Sequence, residues 1–291
     1  MDHSYRISVG NGGGNGGGNG GGNGGGGAPS NASLGGVMGT PDGIQVPMDG
    51  ILAETSAEPF FTFTGAKFPE SSWDPHLRAQ VILAEFGKTN WRDYPPPNPP
   101  KQAVEIAADI TAVFQWRVER PNRTAEIIAQ AQNLELYWSD MLMVGPVGRP
   151  YTATLIAVGM AVGQMVGMHW KHHFKRARPV QFFPAVMPVI LTPPHPSFPN
   201  NHSFQSHLIA HTVQAAFKEP VAGAMRVQLM ALADRIGVNR EIAGVHFPTD
   251  TDAGKQLAKD IFPLLAGLSS FREVCEAAKA EWPGLGVGPQ P

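Results

Sequence analysis

Ten histidines, one cysteine and 22 lysines and arginines among 291 residues set what side-chain chemistry is available, and three short segments gather most of it. The first is Lys171-His-His-Phe-Lys-Arg-Ala-Arg178-Pro179. At 3.6 residues per turn Lys171 and Arg178 share a helix face, with Lys175 between them at the four-residue spacing. Taken alone this is a solvated charge run or a dipole-compensated helix end. The second is His195-Pro-Ser-Phe-Pro-Asn-Asn-His202, a proline-stiffened loop that delivers Asn200, Asn201 and His202 to a helix start, where unpaired backbone N–H groups suit a phosphate-like oxyanion. Either asparagine could equally serve as an N-cap. The third runs from Asn239-Arg240 to His246-Phe-Pro-Thr-Asp250. Pro248 and Thr249 mark a helix beginning, so Asp250 lies one turn from His246, where a carboxylate fixes the imidazole tautomer and raises the basicity of the far nitrogen.

In this order and spacing the segments resemble the three-part signature of the type 2 phosphatidic acid phosphatase superfamily, which includes soluble bacterial acid phosphatases and vanadium-dependent haloperoxidases. Lys171, six residues and Arg178-Pro179 match the first motif. Pro199-Asn200-Asn201-His202 stands in frame where the family has Pro-Ser-Gly-His, and Arg240, His246 and Asp250 match the third, with Asn239 in the serine place. The resemblance spans residues 171 to 250 and implies an all-α bundle. It also implies roles: Lys171, Arg178 and Arg240 cradle the non-bridging oxygens, His246 is the nucleophile that becomes phosphohistidine, oriented by Asp250, and His202, held protonated near the anion, donates to the leaving alcohol. No metal or other cofactor is implied, and the substrate would be a small phosphomonoester. Asn200 and Asn201 replace a hydroxyl and a glycine N–H that contact the anion. An asparagine amide can still donate and tolerates positive φ, but the side chain at 201 fills space the family leaves empty, which allows for a degenerate, binding-only site.

The rival within the family is a haloperoxidase that holds vanadate at His246; the short intervals from Arg178 to Asn200 and from His202 to His246 favour the acid phosphatase type. A metal module using His207 and His211, four apart, lacks a convincing third ligand, so these two histidines are expected to pack or to support the site, and His172 and His173 to flank the basic helix end.

These residues need helices to place them. Helical patterns are predicted at 74–86, at 102–118 with Ile106, Ile110 and Val113 on one face, and after Pro121, with a possible cap at Asn122, where Ile127, Ala131, Leu134, Trp138 and Met141 form one stripe. Between the first two, Tyr94 to Pro100 is an extended proline-rich run. One long helix is expected over 151–177, ended by Arg178-Pro179, then helices at 201–218, 221–237, 248–267 and 270–281. Leu155 to Met168 is apolar and carries Gly159, Gly163 and Gly167 at four-residue spacing. It is shorter than the roughly 20 residues of a membrane span, so a buried helix closely approached by another is expected. Phe174, Phe182, Phe183 and Phe198 could belong to core or to pocket wall.

Composition narrows the class. Of 34 glycines, 13 lie in the block 11–27, so residues 1–59 read as a flexible Asn/Gly-rich leader and 60–291 as a single all-α domain. A net charge of −2 excludes a global field for nucleic acid or an anionic membrane, and a lone cysteine, Cys275, excludes an internal disulfide. The N-terminus shows no charged start followed by an apolar stretch, so a soluble, cytoplasmic protein is the default expectation.

Overall fold

The computed structural model describes residues 67–145 and 147–282; the block expected to be a leader, 1–59, lies outside them. Residues from Trp73 onward belong to one compact unit, and residues 67–72, with a short 3-10 turn at Glu70–Ser72, to another. The larger unit holds ten α-helices and, among the described residues, no strand: α1 Pro75–Phe86, α2 Ala103–Gln115, α3 Arg120–Gln132, α4 Leu134–Leu142, α5 Pro150–Phe174, α6 Pro179–Phe182, α7 Asn201–Gln214, α8 Val221–Ile242, α9 Pro248–Ala266 and α10 Ser269–Lys279. The all-α class read from the sequence is the class observed.

The centre is α7, buried along its length except at His211 and Gln214 and packed on α5, α8 and α9. Its partner surface on α5 is the glycine stripe. A Cβ at Gly159 would come within 2.7 Å of Ile209, one at Gly163 within 2.5 Å of Gln205, and one at Gly167 would overlap the Asn201 carboxamide. The two four-residue ladders run antiparallel, and the missing side chains let the backbones close. Leu155, Val158, Val162 and Val166 of α5, Phe204 and Leu208 of α7 and Leu257 and Ile261 of α9 then share one apolar cluster.

Several boundaries differ from the sequence reading. The expected third helix is two, because Asn133 leaves the helical region at φ −155°, ψ 98° and caps α4 by accepting from the Leu136 N–H at 2.8 Å; a short amide competes with the backbone ladder. Pro121 lies inside the first turn of α3 and Asn122 is not its cap. Met141 leaves the stripe, 57% exposed. Helix α5 ends at Phe174 because Lys175 turns left-handed at φ 52°, and α8 continues five residues past the expected 237. At 25 residues, α5 exceeds the apolar stretch that looked too short for a bilayer. Among the described residues one stretch, Pro150–Phe182, is long and apolar enough to cross a membrane, and 67% of its most apolar window is buried in the fold.

Candidate active site

Each of the three segments reaches the same region by a local rule. Helix α8 ends in a double closure: the Gly244 N–H bonds the Glu241 carbonyl at 2.8 Å and the Val245 N–H the Arg240 carbonyl at 3.1 Å. This needs a residue with positive φ, which Gly244 supplies at 81°. The reversal returns the chain beside Arg240, so His246 lies next to the arginine six residues before it, and its N–H donates to the Arg240 carbonyl at 3.3 Å. Pro248 then opens α9, and Asp250 caps it by accepting from the Phe247 N–H at 3.1 Å.

His246 is buried, with Nδ1 3.1 Å from Asp250 Oδ2 and Nε2 2.9 Å from an Arg178 Nη1. An arginine can only donate, so Nε2 carries the lone pair and Nδ1 the hydrogen. Burial holds this ring well below its ordinary pKa, followed by the charges of Arg178 and Lys171. The other Asp250 oxygen accepts from Arg176 Nη1 at 2.6 Å, and Arg176 Nη2 pairs with Asp109 of α2 at 2.7 Å. Burial pushes the Asp250 carboxyl up, against Arg176 and the Phe247 N–H. Thr249 joins this network, its hydroxyl donating to Asp109 at 2.5 Å and accepting from Arg176 at 2.8 Å. Arg176 and Asp109 were not singled out in the sequence: Arg176 is one more base in a basic run, and Asp109 stands alone beside an apolar face.

The cations divide into two kinds. All three Lys171 protons are taken, by the carbonyls of Pro196, Ser197 and Pro199 at 2.9, 2.8 and 2.6 Å. Expected to grip an anion directly, Lys171 instead clamps the loop before α7 and lends its charge; burial and then Arg178 push its ammonium well below the ordinary value. Arg178 bonds the His195 and Val245 carbonyls at 3.0 and 2.7 Å and His195 Nδ1 at 3.1 Å. Arg240 differs. Its Nη2 donates to the Ile127 carbonyl and Gln130 Oε1, both at 3.0 Å, while Nε and Nη1 are buried without a partner. Burial brings its pKa down to about 9. Four buried cations, Lys171, Arg176, Arg178 and Arg240, stand with three buried carboxyl groups, Asp109, Asp250 and Glu241; Arg176 occupies the two aspartates, and Glu241 accepts from the Trp116 indole at 3.0 Å.

The asparagines also depart from expectation. Asn200 caps α7 by accepting from the Ser203 N–H at 3.3 Å, and its amide bridges to the Gly237 carbonyl and the Thr251 hydroxyl at 3.3 and 3.1 Å. Asn201 donates to Gln164 of α5 at 3.1 Å, and its carbonyl oxygen lies over Gly167. Both side-chain amides expected to meet an anion are therefore spent on neighbouring helices. What remains at the start of α7 is backbone: the Asn200 N–H bonds the Asp250 carbonyl at 2.8 Å, while the Asn201 and His202 N–H groups lie in the first turn, where a helix offers no acceptor.

His202 is buried with Nε2 3.2 Å from the Gln130 carbonyl. The resemblance implied a protonated ring. Burial first, then Arg240, hold it well below its ordinary pKa, with Lys171 and Arg178 in the same direction, so the resting ring is neutral and only a bound anion would reverse the sign of the local field. Four other histidines singled out in the sequence stand apart from these rings. Both nitrogens of His207 face acceptors, the Ser203 carbonyl at 2.7 Å and Asp234 at 3.0 Å, His211 stacks on Phe262, and His172 and His173 are exposed. Among the described residues no cluster of three metal-binding side chains occurs. Phe174 packs edge-on to buried Phe198, whereas Phe182 and Phe183 are exposed. A surface cleft of about 570 Å³, walled by Pro97, Pro100 and Gln102, reaches Phe198 and Thr249, not the histidine rings.

No family model and no curated protein sequence matches the chain. Solved structures do. One is described as the first bacterial vanadium-dependent iodoperoxidase, with 16% identity and a TM-score of 0.45; the match covers 60% of this chain and 52% of that one, so the chain spans about half the length of that protein. Another is a transmembrane PAP2-type phosphatidylglycerolphosphate phosphatase from Bacillus subtilis, with 19% identity and a TM-score of 0.42, covering 67% of this chain and 94% of that one. The chemistry of this chain is read from its own side chains.

Proposed function

We propose that this protein is an acid phosphatase-like phosphomonoester hydrolase that acts through a phosphohistidine at His246 and needs no metal. The observation that carries the reading is Arg240: a buried guanidinium with Nε and Nη1 unpartnered, in a region with more cations than carboxylates. A buried guanidinium with unpaired donors is costly, and a tetrahedral dianion would satisfy both the charge and the donors. On binding, Arg178 turns from Nε2 of His246 to a phosphoryl oxygen. Nε2 then attacks phosphorus while the bond to the leaving oxygen breaks, and His202, protonated in the dianion's field, gives that oxygen its proton. Asp250 takes the Nδ1 hydrogen bond throughout, which stabilises the ring as it becomes positive. Water, deprotonated by His202, releases phosphate. The Asn201 and His202 N–H groups and Arg240 would hold the non-bridging oxygens. In this reading the protein works as a soluble enzyme on a small-molecule phosphomonoester.

Hydrolysis of p-nitrophenyl phosphate in the presence of a chelator is the test. We expect turnover that falls by about 10³-fold or more in His246→Ala and that fades as pH rises above the value at which His202 is charged; full activity in that variant refutes the mechanism. A second reading has a specific basis, since the Nε2 lone pair that would attack phosphorus is also a ligand for vanadate, with Arg240 donating to its oxygens. Vanadate would supply peroxide activation for halide oxidation, and bromide oxidation after reconstitution with vanadate distinguishes the two activities.

A further inference from the structure

Gln130, on α3, is fully buried and lies outside all three motifs, yet it touches two of the groups that flank the anion site. Its side-chain oxygen accepts from Arg240 Nη2 and from Asn239 Nδ2, both at 3.0 Å. Its Nε2 donates to Glu126 at 2.9 Å, which fixes the rotation of the amide, and Glu126 is itself held by Arg235 at 2.6 Å. Its main-chain carbonyl accepts from His202 Nε2 at 3.2 Å. A carbonyl oxygen cannot donate, so Nε2 of His202 bears hydrogen whether the ring is neutral or charged. Among the described residues nothing bonds Nδ1, and that atom is left to exchange a proton.

We propose that Gln130 is the positioning residue of the site: its side chain holds the Arg240 fork so that Nε and Nη1 face the anion, and its carbonyl makes Nδ1 the proton-transferring atom of His202. This rests on the phosphatase reading for the identity of the anion, but not for the geometry. Asn239, which stands where the resembled motif has serine, joins the same arrangement by bonding Gln130. The one segment of α3 thus sets both the grip on the non-bridging oxygens and the direction from which the leaving group receives its proton.

The test has two arms. In the unmodified protein labelled with ¹⁵N-histidine, long-range proton–nitrogen correlations, assigned by comparison with His202→Gln, should show the neutral ring of His202 protonated at Nε2. A ring protonated at Nδ1 overturns the proposal, and this arm needs no variant to fold. In the second, Gln130→Met removes the amide but keeps the carbonyl. Binding of inorganic phosphate should weaken about tenfold or more while the His202 tautomer is unchanged; unaltered phosphate affinity overturns the role of the side chain. A chain whose phosphate binding depends on Gln130 but which hydrolyses no phosphomonoester supports the positioning role and removes only the phosphatase reading.

Discussion

A guanidinium that keeps donors free inside a folded chain works against stability and in favour of ligand binding, and Arg240 lets the two be separated. Replacing it with methionine removes the buried charge and its unpaired donors while filling similar volume. The expected outcome is loss of measurable phosphate binding together with stability that is unchanged or raised, by about 1–4 kcal/mol where the apolar side chain packs well, read by denaturant titration and by calorimetry with phosphate. A fall in stability with binding intact would show that Arg240 is structural. The motif residues were legible in the sequence because spacing carries them: Arg240 to His246 to Asp250 is one helix end, one reversal and one helix start. Arg176 and Gln130 were not. Their partners, Asp109 at 67 residues' separation and Arg240 at 110, are joined only by the tertiary fold, and no local pattern marks a buried glutamine as a joint.

At the scale of elements, the antiparallel ladder of α5 and α7 explains where the Asn201 side chain goes. The space is supplied by Gly167, so the asparagine lies between helices and not across the candidate site. Exchange of Asn201 for glycine is therefore not expected to raise turnover. Gly167→Ala should destabilise by about 1–3 kcal/mol through overpacking, and most of that loss should disappear when Asn201→Gly is added, a coupling a double-mutant cycle would measure. Additive losses would contradict the ladder. The glycine stripe was readable as a close-approach face because its period matches the helix. Helix ends were less so: the break at Asn133 and the extension of α8 through Arg240 depend on which backbone groups find side-chain acceptors, as at Leu136 N–H. An apolar stripe continues across such a break without recording it.

For the molecule as a whole, the buried histidines set the response to acid. His202 and His246 lie well below their ordinary value and His211 is brought down to about 4 by burial. In the unfolded chain these rings take up protons as pH falls through about 6.5, while in the folded chain they stay neutral to lower pH. Their contribution is therefore present above that value and lost below it. Burial raises Glu241 to about 7 and raises Asp250 as well, which opposes the slope without cancelling three rings. Stability without phosphate should decline between about pH 6.5 and 5, at roughly 1 kcal/mol per pH unit, and added phosphate should offset the decline because the anion favours the protonated rings. Thermal unfolding across that range, with and without phosphate, checks both signs.

Helix α5 has a second end. Opposite Lys171, its first turn is closed by Glu281, whose carboxylate accepts the Tyr151 and Thr152 N–H groups at 2.7 and 2.8 Å, while Trp282 donates to the Thr152 hydroxyl and lies under Arg149. The helix is a strut of 25 residues, about 37 Å long, fastened at one end by residues just past α10 and carrying the loop clamp of the candidate site at the other. The two residues after Ala280 and a loop more than 80 positions earlier in the chain are thus fastened to opposite ends of one helix.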